Sequence, residues 1–136
     1  MSRTSRTCRL LTTVSGLLTV VLAAAGADRG VRALPARQAA PLLDDPATVV
    51  LDIRTPPEVE QARLPGELVH LDFHEPDFAD RVAELDRDAT YLMYCRSGNR
   101  SGHARALLEQ LGFADVVDVS DGIIGWVDAG LPIEQG

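Results

Sequence analysis

From residue 31 onward, short apolar runs alternate with segments patterned as helices. The runs are "VRAL" (31–34), "ATVVLDIR" (47–54), "LVHLDF" (68–73), "TYLMYC" (90–95) and "DVVDVS" (115–120). Each is about the length of a strand and is bounded by turn residues, which marks strands buried on both faces. Between them, Pro35 opens "ARQAAPLLDD", a short helix broken near Pro41. "TPPEVEQAR" has the threonine, prolines and acids of a helix start, and "LPGE" (64–67) is a turn. "EPDFADRVAELD" sets Phe78, Val82 and Leu85 at helical spacing. Ala104, Leu107, Leu108 and Leu111 fall on one face of a helix that Gly112 ends, and "DGIIGWVDAG" is a final short helix that buries Trp126. Such alternation requires crossover connections. It predicts an α/β fold in which a parallel central sheet is covered by helices on both faces.

The first 27 residues do not belong to that pattern. Arg3, Arg6 and Arg9 precede an uncharged apolar stretch from Leu10 to Gly26, and Ala25-Gly26-Ala27 has the small residues of a cleavage site. This predicts a signal peptide over 1–27 and an exported domain over 28–136, periplasmic or extracellular; the alternative is an uncleaved membrane anchor at 10–26. Removing residues 1–27 takes three arginines and no acid, so the net charge of −7 becomes −10. It also removes Cys8 and leaves Cys95 as the single cysteine. That count excludes a disulfide scaffold and a cysteine zinc site, and it makes a lone thiol in an oxidising compartment a feature to explain. The acidic balance argues against nucleic acid as a partner. The chain has no lysine, so side-chain Schiff-base chemistry is excluded.

Cys95 stands at the end of an apolar strand and is followed by "RSGNRS" and a helix. In open parallel sheets, ligands bind beyond the carboxyl ends of the strands. A small polar loop entering a helix can turn its N–H groups inward as an anion nest, and the helix dipole and Arg96 and Arg100 add positive charge. All of these favour thiolate over thiol, so the Cys95 pKa is expected below the free-cysteine value of about 8.5. The competing reading is a buried structural cysteine before an ordinary turn.

"CRSGNRS" after an apolar strand resembles the active-site loop of rhodanese-like sulfurtransferases. The resemblance extends to "VVLDIRTPPEVEQARLPGELVHLDF", with its Asp-x-Arg strand end and Pro-Gly turn, and to "VVDVSDGIIGWVDAGLPIE". It covers nearly all of residues 28–136 and matches single-domain members. It implies that Cys95 is a nucleophile that takes sulfane sulfur from thiosulfate or a similar anionic donor. The resulting persulfide passes its sulfur to cyanide or a thiol, a redox or thiol protein among the candidate acceptors. The chemistry requires neither metal nor organic cofactor, and a monomer is expected.

The backbone N–H groups of Arg96, Ser97, Gly98, Asn99, Arg100 and Ser101 would form the cradle, with Gly98 in a conformation other residues resist. The Arg96 side chain would steer the donor, and Arg100 would stabilise the loop or bind substrate. Asp52 and Arg54 would either brace the loop or form an ordinary surface ion pair. Two departures from the family pattern stand out. Asp121 precedes Gly122 where two glycines are common, which would put negative charge at the pocket rim. Arg63 stands before "LPG" where histidine is common. His103, His70 and His74 are expected to be solvated or structural.

Two other functions compete. Cysteine phosphatases place an arginine six positions after the cysteine, and position 101 here is serine, while Tyr94 stands where those enzymes have histidine. The six-residue loop from Cys95 to Arg100 suits one sulfur atom better than a phosphate tetrahedron. The second alternative is a non-turnover persulfide carrier or interaction module, which the intact cysteine does not distinguish from an enzyme.

Overall fold

The computed structural model describes residues 29–136, so the segment read as a signal or anchor lies outside the described residues. Five strands, β1 (Gly30–Leu34), β2 (Val49–Asp52), β3 (Glu67–His70), β4 (Thr90–Tyr94) and β5 (Asp115–Val119), form one sheet in the order β1-β5-β4-β2-β3. Every neighbouring pair in it is parallel. The connecting helices are α1 (Ala36–Ala39), α2 (Pro56–Gln61), α3 (Phe78–Ala83), α4 (Asn99–Gln110) and α5 (Gly122–Asp128).

The apolar runs are continuous because both faces of the sheet are covered. Leu51, Tyr91, Met93 and Val116 point to one side and pack with Phe78 and Val82 of α3 and Ala104 and Leu108 of α4. Their neighbours in the chain, Val50, Leu92, Tyr94 and Val117, point to the other side and pack with Ala36 and Ala39 of α1 and Trp126 of α5. Each large apolar side chain buried this way contributes about 1.5–3 kcal/mol. Trp126 is core, and its indole N–H donates to the Pro132 carbonyl at 2.8 Å.

The predicted break near Pro41 is present: α1 passes into a 3-10 turn over Ala40–Asp44. Several elements are shorter than predicted, the second strand covering Val49–Asp52 of the expected 47–54. The third strand ends at His70 rather than Phe73, although the Leu71 and Phe73 N–H groups still donate to Asp52 and Ile53. The predicted helix over 75–86 reduces to α3. Its first residues are taken by turns in which Glu75 bonds back to Asp72 and Phe78 to Glu75.

The register places the chemistry. Asp52 at the end of β2 lies opposite Tyr94 at the end of β4. Ile53-Arg54 and Cys95 therefore leave the sheet side by side at its carboxyl edge, where open α/β sheets bind ligands.

Candidate active site

Cys95 is 1% exposed, the first residue past β4. Its Sγ accepts the Gly98 N–H at 3.1 Å and lies 3.5 Å from the Ser101 hydroxyl. Burial pushes the thiol pKa up, but the Ser101 hydroxyl and the N–H groups of Ser101, Gly98 and Ser97 outweigh it, and the net direction is down. The expected lowering is thus present, but hydrogen bonds rather than arginine charge dominate it.

Two glycines allow the loop to close. Gly98 has φ +93°, and a Cβ there would overlap the Ser120 carbonyl at the end of β5. Gly122 has φ +63°, and a Cβ there would overlap the Arg96 carbonyl. With that space empty, the first N–H groups of α5 reach the loop: Ile123 donates to the Cys95 carbonyl at 3.0 Å and Ile124 to the Arg96 carbonyl at 3.2 Å. The loop carbonyls are tied outward, which leaves its N–H groups to face the sulfur.

The loop's two arginines behave differently. Arg100 makes a bidentate pair with Glu58 of α2, at 2.9 and 2.8 Å. Glu58 also accepts the Thr55 backbone N–H and hydroxyl, so one carboxylate fixes both the start of α2 and the start of α4. Hydrogen bonding from Arg100 leads the causes that lower the Glu58 pKa to about 2. Of the two roles expected for Arg100, stabilising the loop is the one its geometry serves. Arg96 is exposed and forms no salt bridge among the described residues. Asn99 opens α4.

Asp52 and Arg54 are 0% and 3% exposed, so they are not a surface pair. Arg54 donates to both Asp52 oxygens, to the Ala62 carbonyl and to the Tyr94 hydroxyl. Tyr94 donates in turn to Asp52 and accepts the Leu64 N–H. This network clamps the ends of β2 and β4 to the segment after α2. His70 Nε2 donates to the Arg54 carbonyl at 2.6 Å, while His74 and His103 are exposed.

Asp121 does not reach the pocket rim as expected. Its ordinary φ of −103° needs no second glycine, and its carboxylate accepts the Ala36 N–H at 2.9 Å, on the α1 side of α5. Arg63 bridges to Glu134 both through backbone and side chain.

Several contributors were not singled out from the sequence. Glu58 was legible only as a helix-start acid, because its pairing with Arg100 joins residues 42 apart. Asp118 is 1% exposed on β5, one of its oxygens meeting Arg105 Nε at 3.2 Å and the other without a hydrogen-bond partner. Burial pushes its pKa up, against the lowering influence of the Ser101 hydroxyl and Arg105. An acid at a core position of an apolar strand was the available signal. Beside the loop lies a cavity of about 310 Å³ lined by Arg54, Glu58, Gln61, Ala62, Arg96 and the Ile123–Asp128 face of α5.

A parallel sheet that holds one cysteine in a short N–H-lined loop at its carboxyl edge defines a class of anion-handling thiol proteins. Comparison with known proteins narrows this. The family model for the rhodanese-like domain matches residues 35–129. A sulfurtransferase from Allochromatium vinosum is 40% identical over 92 residues, 68% of this chain and 83% of the relative. The thiosulfate sulfurtransferase GlpE of Pseudomonas putida is 38% identical over 93 residues, 68% of this chain and 82% of the relative. The crystal structure of a rhodanese-related protein from Thermoplasma volcanium superposes with a TM-score of 0.67 at 30% identity, covering 77% of this chain and 99% of that one. The chain belongs to the rhodanese-like domain family.

Proposed function

We propose that this protein transfers sulfane sulfur through a Cys95 persulfide. The observation that carries the reading is the Cys95 sulfur itself, buried, met by the Gly98 N–H at 3.1 Å and biased toward thiolate by Ser101 and the loop N–H groups. In the first half-reaction the Sγ thiolate attacks the outer sulfur of thiosulfate or a similar donor. The donor S–S bond breaks, and sulfite leaves with the bonding pair. In the second, cyanide or a thiolate attacks the terminal sulfur of the persulfide, and Sγ leaves as thiolate. Donor anion, thiolate and persulfide are all negative, and fixed N–H groups stabilise each without reorganising. Neither half-reaction calls on a metal or an organic cofactor.

Within this reading Arg96, the loop arginine with no carboxylate partner among the described residues, steers the anionic donor. Backbone N–H groups of Arg96 to Ser101 form the cradle. Arg100, Asp52 and Arg54 position it through their carboxylate and tyrosine partners. Ser101, where a phosphatase spacing needs arginine, and the short loop disfavour phosphate ester chemistry. Residues 1–27, with their arginines, apolar stretch and A-x-A site, support export of the domain, or its anchoring by residues 10–26; a monomer passing sulfur to a small thiol or a thiol protein completes the reading. The test is steady-state sulfur transfer from thiosulfate to cyanide. Turnover lost in Cys95→Ser is the expected result; single-turnover loading without steady-state turnover would instead make the domain a carrier, and phosphate ester hydrolysis without sulfur transfer would overturn the reading.

A further inference from the structure

The cavity beside the loop has properties that a thiosulfate site does not require. It is joined to the loop through Arg96 and through Ile123, whose N–H holds the Cys95 carbonyl. Its volume of about 310 Å³ is at the lower end of small-molecule pockets and well beyond one inorganic anion. Its charged lining is balanced: Arg54 and Arg96 against Glu58 and Asp128. Arg54 is already bound to Asp52, and Glu58 to Arg100, so those pairs add no net charge. The rest of the wall includes Ala62, Ile123, Ile124 and Val127. Ile124 and Val127 are 44% and 49% exposed, and they are the exposed large hydrophobics among the described residues. Both project from α5 into the same cavity, next to the sulfur loop. Ile124 also borders the cavity on the α1 side of α5, and two adjacent exposed apolar side chains on one helix beside the loop mark a binding surface rather than isolated apolar residues.

We infer that this cavity selects sulfur compounds whose transferable sulfur is attached to an apolar organic group, in preference to small inorganic dianions. The inference rests on the sulfur-transfer reading and specifies its substrate class. An organic body would lie against Ile123, Ile124 and Val127, while the sulfur end, with a single negative charge, enters beside Arg96 toward the loop. A dianion without that body is met by Arg96 but gains nothing from the wall.

Alkanethiosulfonates, R–SO2–S⁻, test this with one reaction and a variable R. The Sγ thiolate bonds to the outer sulfur, the bond from that sulfur to the sulfonyl sulfur breaks, and the sulfinate leaves with the electron pair. The rate at which the intact protein gains one sulfur atom is followed by mass spectrometry for methyl, butyl and hexyl donors and for thiosulfate. The second-order loading rate is expected to rise by about tenfold or more from methyl to butyl, as partial burial of three methylenes implies. In the double variant Ile124→Ser/Val127→Ser, the dependence on chain length is expected to collapse to about twofold or less, read as the butyl-to-methyl ratio within the variant. Equal rates across the series in the unmodified protein, a chain-length dependence that survives the double variant, or thiosulfate loading faster than the butyl donor would each overturn the inference alone. Loading by no donor would overturn the sulfur-transfer reading and the inference with it.

Discussion

Inside the loop, the groups that meet the Cys95 sulfur are main-chain N–H donors and one serine hydroxyl. In the cavity next to it, the contacts come from side chains, with Ile123, Ile124 and Val127 forming an apolar wall. The cradle is locked on every side: by α5 N–H groups on its carbonyls, by glycines that leave no space for a Cβ, and by Glu58 on Arg100. On the cavity wall, the Ile124 and Val127 side chains are about half-exposed, although the helix that carries them is tied to the loop through its backbone. Contacts made by backbone N–H groups depend less on side-chain identity than an apolar wall made of side chains does.

Removing the sulfur should have the largest effect. Cys95→Ser is expected to abolish sulfur transfer, on the order of a thousandfold or more in steady-state assays, since the loop holds no other thiol. Next comes the cradle's geometry. Gly98→Ala puts a side chain at φ +93° against the Ser120 carbonyl. It should cost about 1–3 kcal/mol in denaturant unfolding and slow Cys95 alkylation at neutral pH.

Ser101→Ala removes one donor to the sulfur and, with it, a hydroxyl that lowers the pKa of buried Asp118. The Cys95 alkylation midpoint should then move up toward that of a free cysteine, and the unmodified protein should show a midpoint below it. An unchanged midpoint in the variant would mean that the N–H groups alone hold the thiolate.

A smaller change is expected from Glu58→Gln, about 1–2 kcal/mol in stability through loss of a charge-assisted pair. The sign with pH is definite. The carboxyl has its pKa lowered from 4.5 to about 2 on folding, so its contribution is complete above pH 4.5 and is lost as pH falls through about 2. Thermal melts should show that acid-side loss in the unmodified protein and a shallower slope in Glu58→Gln. The smallest effects on stability belong to the cavity wall, where Ile124→Ser/Val127→Ser should alter donor preference and leave the cradle's alkylation profile in place.

The fold was legible because each strand is a continuous apolar run, a pattern that only two-sided burial explains, and because the turn residues around it separate the elements cleanly. The loop was legible for a related reason: "CRSGNRS" is local, and six consecutive residues supply nearly all the contacts to the sulfur. What the sequence did not disclose depends on residues brought together from afar. The Glu58–Arg100 pair, the Asp52–Arg54–Tyr94 clamp and the Ile123–Val127 wall each require the register of β2 against β4 or the seat of α5 on the loop. Asp121 was misplaced for the same reason, since the backbone direction that aims its carboxylate at Ala36 is set by the contact between α1 and α5. Arg100 illustrates the general case. Read locally it adds charge to an anion site, whereas in three dimensions its charge is met by Glu58.

The measurement that bears most directly on the central claim is the intact mass of the protein after treatment with excess thiosulfate, with Cys95→Ser beside it. The account predicts the gain of one sulfur atom on Cys95, removed again by cyanide or a thiol, and no gain in the variant. A protein that gains no sulfur, or a variant that gains it equally, would contradict it.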